Sequence, residues 1–482
     1  MNRLLPSFPF FAGLLLAVAP AHAQSPAFRF DLKAEKLSVP AGPWQVARVL
    51  DLRADRSRLG TVHKGINNAV VSADFTQPLA PELLQFLKAQ LPASSGARPV
   101  TMRVFTLALN EELRASSEHS EAELVADFLE PQPDSTYRVL LTVGETTQRG
   151  GLDVTKHHPA NIALVLQQAL QKLEALPAST PTTETLSQAD VLAGRGGVMA
   201  QRFPIQKTTE LKRGFYRNLQ EFRDNAPSEP EFPFAIQHIA RTGKRWAGTD
   251  EVQVNYLSTD NSHPNRPVPA SGLWGLSDGN ELLIAYRNRY YKLLPAADGR
   301  SYTFLGPPVF DEKAAATMAG AAIAGGLIGA AIASAASSGG GPDLYELHLA
   351  SGRVMPAEQT GQTDAAGFAI GPDTARVYVY RRGDAAKDQT VGIAGANQPA
   401  QPLRPWQWTA ITWTDRRKDL KVCAQLGSSP ATCREFVPDF SQPSYMECVV
   451  PAGGGAPELR PVSAKEGQFE LKRIQRLAKA GK

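Results

Sequence analysis

The residues able to do chemistry are few, and their spacing argues against joint use. Asp51, Asp55 and Asp74 are placed to line one edge of a fold, as a metal site would require. Arg53, Arg56 and Arg58 interleave with them, and carboxylates alternating with guanidiniums more often form solvated ion pairs than bind a cation. His157 and His158 are adjacent, so their rings point apart and chelate one ion awkwardly; a loop that opens a helix is expected there. Ser277-Asp278-Gly279-Asn280 reads as a turn between strands. No HExxH, Walker loop or GxGxxG with a following acid occurs. Gly194-Arg195-Gly196-Gly197 lacks the strand-to-helix context of a phosphate loop. The expectation is a protein that is not an enzyme, with no catalytic, cofactor-binding or metal-binding residues and no cofactor.

The cysteines, Cys423, Cys433 and Cys448, lie near one another in sequence. Nine residues separate the first two, which suits a bridged hairpin turning through Gly427-Ser428-Ser429-Pro430. Cys448 is then left as a thiol. Zinc is disfavoured, because no CxxC occurs and no histidine lies close by.

That disulfide presupposes an oxidising compartment. Arg3 followed by the apolar run Phe10 to Ala19 and by Ala21-His22-Ala23 before Gln24 reads as a cleaved export signal over residues 1–23. The run is too short to span a bilayer. No cysteine follows the cut, so a lipid anchor of the bacterial lipoprotein type is not expected. The protein is placed outside the cytoplasm, in the periplasm or envelope.

The 482 residues are 43% apolar and 20% charged, with a net charge of +4. Removing the signal leaves roughly 460 residues, room for about three domains. No Lys/Arg block marks a nucleic-acid surface; Arg381-Arg382 and Arg416-Arg417-Lys418 are expected as solvated loop charge.

Composition and periodicity divide the chain. Over 27–178, strands are expected at Trp44–Leu52, Val100–Leu109, Ala122–Leu129 and Tyr137–Glu145. Leucines at 83, 84, 87 and 91, and Ile162, Leu166, Ala169, Leu170 and Leu173, fall at helical spacing. This predicts an α+β domain with helices packed on a mainly antiparallel sheet. Its Val49-Leu50-Asp51-Leu52-Arg53, the following Leu59-Gly60 and the order of elements resemble the YajG-like envelope lipoproteins, a likeness that implies no catalytic residues. Residues 179–202, rich in Pro, Thr, Ser and Gly, are expected as a linker.

Residues 203–358 predict a β-rich domain. Gly214-Phe215-Tyr216-Arg217-Asn218-Leu219, the following Asn225-Ala226-Pro227 and Leu273-Trp274-Gly275-Leu276 resemble an uncharacterised domain of Bacteroidetes proteins. Residues 367–476 predict a β-sandwich from short strands at Ala375–Arg381, Gln389–Ala394, Trp408–Trp413, Leu420–Ala424 and Gly467–Leu471. The opening run Ala375-Arg376-Val377-Tyr378-Val379-Tyr380-Arg381 resembles a bacterial envelope domain of unknown function.

Within the middle part, residues 314–338 carry no charge. Ala321, Gly325, Gly329 and Ala333 repeat every four residues, a small-xxx-small face through which helices associate. A membrane-associated helix, a full span and a mobile Ala/Gly excursion all fit this composition. If the segment spans an inner membrane, the last domain faces a reducing cytoplasm and all three thiols stay free. Trp406, Trp408 and Tyr290 are candidate partner-contact aromatics, against a default of core packing.

The leading functional expectation is an exported, non-catalytic envelope protein acting as an adaptor or scaffold, with envelope proteins or membrane as partners and no nucleic acid. The alternatives are a membrane-inserting protein that self-associates as a homo-oligomer through residues 314–338, and a hydrolase acting on envelope polymers.

Overall fold

Three long strands, Arg98–Leu113, Glu118–Pro131 and Thr136–Gly151, organise the first part of the protein in a computed structural model. The structure describes residues 28–64, 69–91, 96–113, 117–151, 153–177, 184–228, 233–243, 246, 248–257, 266–296, 301–308, 342–356, 374–383, 389–395, 399–440, 443–451 and 455–479. The expected signal over 1–23 and the Ala/Gly segment 314–338, with Ala321, Gly325, Gly329 and Ala333, lie outside the described residues. What is described is β-rich, with several sheets and few helices, as composition and periodicity predict.

The three long strands pair as an antiparallel meander. Trp44–Asp51 runs parallel to the first of them, three shorter strands extend the sheet beyond it, and Thr185–Ser187 at the opposite edge makes eight in all. Helices Leu79–Gln90 and His158–Glu174 press Leu83, Phe86, Leu87, Ile162, Leu166 and Leu170 onto one face. Ala122, Leu124, Ala126 and Phe128 meet them from the sheet. Alternation then sends Glu123, Val125 and Asp127 to the other face. In a two-layer fold that face meets water. Here Glu123 and Asp127 are fully buried, because more of the chain covers them.

Part of that cover is the segment expected as a linker, which is folded over its described residues 184–202. Thr185–Ser187 adds a strand beside Thr136–Gly151. Ser187 caps the short helix Gln188–Leu192, its hydroxyl accepting from the Asp190 backbone N–H at 3.1 Å. Gly196 and Gly197 follow with φ of +67° and +57°, and a Cβ on Gly197 would overlap the Asp127 carboxylate. The glycines that suggest flexibility are there for a tight path over the sheet.

The rest of the cover is the second sheet, ten strands between Gly214 and Pro356. Within it Leu282–Tyr286 pairs with Arg289–Pro295 as a hairpin across Arg287 and Asn288, both at positive φ. Asp343–His348 and Val354–Pro356 complete the sheet. Its core is aromatic, with Tyr216, Phe222, Tyr291, Tyr302, Phe304 and Tyr345 in one cluster. At Gly144 this sheet meets the first so closely that a Cβ would overlap the Ala350 carbonyl.

Two four-stranded sheets make up the last part and enclose Val377, Val379, Ile393, Ile411, Val422 and Met446. Instead of the strand expected at Gly467–Leu471, the chain forms the helix Ala464–Lys479. Its Leu471 and Ile474 pack on Tyr380 and Tyr445, on the outer face of one sheet. Their three-residue spacing is helical, and a five-residue window ending at Leu471 is too short to show it.

Candidate binding cleft at the junction of the sheets

Two carboxylates on the covered face of Glu118–Pro131 set the chemistry of the junction. Asp127 receives a bidentate pair from Arg103, directly opposite in register, at 2.8 and 2.6 Å. Arg103 also donates to the Arg195 carbonyl at 2.9 Å, which ties the covering segment to the sheet. Burial pushes the Asp127 carboxyl above its ordinary value despite Arg103.

Glu123 lies four residues earlier and takes its partners from the second sheet. Arg353 donates to it at 2.9 Å and His348 Nδ1 lies 3.4 Å away; the Ser351 hydroxyl also donates to it. Burial favours the neutral acid, but His348, Arg353 and Ser351 outweigh it and hold Glu123 at about 2. Burial likewise opposes the His348 charge, and Glu123 overcomes it, raising the imidazole above its ordinary 6.5. The cluster is a carboxylate enclosed by cationic donors.

Serine, histidine and glutamate together invite comparison with a catalytic triad. The order is wrong, since Ser351 bonds to Glu123 and not to His348. A carboxylate held at about 2 is too weak a base to activate a hydroxyl. The group clamps two sheets. Gly275-Leu276-Ser277-Asp278-Gly279, which overlaps the turn read at Ser277–Asn280, has GxSxG spacing. Ser277 is fully buried, its hydroxyl accepts from the Gly279 backbone at 3.0 Å, and a strand follows it. A nucleophile elbow needs an exposed serine entering a helix.

Beside the clamp lies a cleft of about 560 Å³. Phe105 and Glu123 reach it from the first sheet, Arg202 and Phe203 from the covering chain, His348 from the second sheet and Arg417 from the third part. Phe105 sits at a bulge, where the pairing register shifts between Val104 and Thr106, and bulges re-aim side chains in this way.

The acids singled out at 51, 55 and 74 do gather, around a guanidinium. Asp51 binds Arg53 at 2.9 and 3.0 Å. Burial disfavours the Arg53 charge, but Asp51, then Asp74 and Asp55, outweigh it and raise its pKa. Among the described residues no group of acids, histidines and cysteines could hold a metal. The expected solvation is absent, since the side chains of Asp51, Arg53 and Asp55 are each 6% exposed. Asp55 is covered because it meets Arg416 at 2.9 Å, while Arg56 donates to the Arg417 carbonyl at 2.8 Å. Arg416 is therefore a junction residue and not solvated loop charge. Arg381 is fully buried and donates to the Gln389 carbonyl at 2.6 Å; Arg382 links Glu447 and Glu466 at 3.0 and 2.6 Å. Composition overlooks such partners because each is supplied by a different segment of the chain.

His157 and His158 stand at the start of a helix, as expected, the first half-buried and the second buried. His158 is buried against Glu111 at 2.7 Å, and this and the His63 contacts outweigh burial to hold Glu111 at about 2. Cys423 and Cys433 oppose each other in a hairpin and are bridged, and Cys448 is buried in the core between the two sheets. Of the aromatics, Tyr290 is buried and donates to the Pro269 carbonyl at 3.1 Å, so it is core. Trp406 is half-buried in a turn at φ +60°, with the Arg473 guanidinium 4.9 Å from its ring. Trp408 is 39% exposed and edge-on to Tyr378, which leaves it the only one of the three on the surface.

No family model matches the chain, and no curated protein matches it. Among solved structures, the cryoEM structure of the membrane pore complex of pneumolysin covers 85% of this chain and 81% of that chain at 8% identity and a TM-score of 0.13. A superposition that poor carries no argument about fold or function.

Proposed function

We propose that this is an exported, non-catalytic protein of the cell envelope that works as an adaptor, holding its β-rich parts in a fixed arrangement for other envelope proteins. The observation that supports this most is the way distant parts of the chain are joined by buried charge. Glu123 meets Arg353 and Asp55 meets Arg416, with side chains no more than 12% exposed. Such pairs contribute specificity of arrangement more than stability, which is what an adaptor needs. The residues read as an export signal and the resemblances to envelope domains agree with this reading. Cross-linking in intact cells followed by co-purification tests it. The same envelope proteins should be recovered repeatedly, and recovered less by a Glu123→Gln variant. A chain that is monomeric and partnerless in repeated experiments overturns it.

Membrane association through residues 314–338 is a second reading, supported by the absence of charge over that stretch. It predicts retention on membranes through a high-salt wash, because apolar insertion is not screened by ions. Gly325→Leu with Gly329→Leu should abolish oligomers. Release by salt alone contradicts it. No helix among the described residues is long and apolar enough to cross a membrane.

A further inference from the structure

The cleft wall carries more positive charge than the protein itself neutralises. Four arginines and three carboxylates line it. Asp51 is taken by Arg53 and Arg56, Glu123 by Arg353, Ser351 and His348, and Glu346 lies 3.8 Å from His348 Nε2. Arg202 and Arg417 remain, and neither guanidinium has a carboxylate partner among the described residues, the Asp415 carboxylate being taken by the Arg417 backbone N–H at 3.0 Å. Arg202 is half-buried and donates one Nη to the Gln201 carbonyl at 2.8 Å; Arg417 is exposed. Around these charges the wall is apolar, formed by Leu52, Phe105, Val125, Leu192, Phe203 and Leu349. Leu192 is 49% exposed although large and apolar.

We infer that the cleft binds an organic anion with an apolar body, a carboxylate or phosphate monoester on an alkyl or aromatic group, whose acid group is received by Arg202 and Arg417. Its volume falls within the ~300–1,000 Å³ of small-molecule pockets, which combine apolar walls with a few placed polar groups. Guanidinium is the side chain that pairs bidentately with carboxylate and phosphate, and the apolar wall strengthens that pairing by lowering the local dielectric. A cationic ligand would find every acid in the wall already engaged. This goes beyond the adaptor reading, because it assigns a small ligand to the junction itself.

Titration calorimetry on the mature full-length protein tests this with decanoate, decyl phosphate, decyltrimethylammonium and inorganic phosphate, all below micelle formation. Decanoate or decyl phosphate should bind at one site. Inorganic phosphate and the ammonium should bind at least about tenfold more weakly, a difference of about 1.4 kcal/mol. The phosphate arm separates a free anion from an amphiphile. Arg202→Gln with Arg417→Gln should weaken the acid probes at least tenfold without changing the thermal midpoint, and Leu192→Glu, at an exposed position, should weaken them by like charge. Binding of the ammonium as tight as that of the acids, an unaltered affinity in the double arginine variant, or no binding of either acid overturns the inference.

Discussion

Asp127 and Glu123 stand four residues apart on one face of one strand, both fully buried and both bound to arginine, yet they do different work. The partner of Asp127 is Arg103, its neighbour in register on the adjacent strand. The partners of Glu123 lie more than two hundred residues away. The first pair forms as soon as two strands zip together and stabilises one sheet. The second can form only when another sheet docks. The carboxyls differ accordingly, with Asp127 raised by burial and Glu123 held at about 2 by cationic donors. A buried acid met by one arginine is poorly compensated. One enclosed by two cations and a hydroxyl is a reason for two sheets to stay together.

The largest effect is expected where docking depends on charge. Glu123→Ala leaves Arg353 and His348 buried without their anion, which should cost about 3–5 kcal/mol and split thermal unfolding by calorimetry into separate transitions. Asp127→Asn should cost about 2 kcal/mol, because the amide keeps one acceptor for Arg103, and should lower the transition without splitting it. If both variants split the transition alike, the distinction between the two carboxylates fails.

Acidity bounds the Glu123 clamp from both sides. The Glu123 carboxyl is lowered from 4.5 to about 2, so its contribution is present above 4.5 and lost as pH falls toward 2. His348 is raised above 6.5, so its contribution is full below 6.5 and lost as pH rises through the folded value. Denaturant unfolding at a series of pH values should show junction stability greatest between these limits. His348→Gln should remove the alkaline loss, and an unchanged alkaline limb would break the assignment.

The weakest of these effects should come at the other junction. Arg416 keeps 12% of its side chain exposed, so Asp55→Asn should cost about 1 kcal/mol by denaturant midpoint. A loss as large as that of Glu123→Ala would mean that both junctions are held alike.

What could be read from sequence follows the same division between near and far. Most strands and the Cys423–Cys433 bridge depend on residues close in sequence, and their periodicity and spacing carry them; the helix Ala464–Lys479 does not show in the five-residue window that reads as a strand. The clamp was not legible. Glu123 alternates with apolar residues just as a solvated acid would, and only the arrival of Arg353 marks it as buried. Asp55 and Arg416 read as surface charge for the same reason. The Gly-rich 194–197 stretch looked flexible because composition does not reveal that Arg103 and Asp127 wait beneath it. For the cleft, a usable signal was the alternation itself, which set two acids on the face of a strand that already had helices on its other side.

If Glu123 and Arg353 couple the first sheet to the second, their effects on stability are not additive. A double-mutant cycle of Glu123→Gln and Arg353→Met, read by denaturant unfolding, tests it most directly. The coupling energy should be at least about 2 kcal/mol, within the ~0.5–3 kcal/mol range of residues in contact. Additivity to within about 0.5 kcal/mol, as for independent sites, would contradict it.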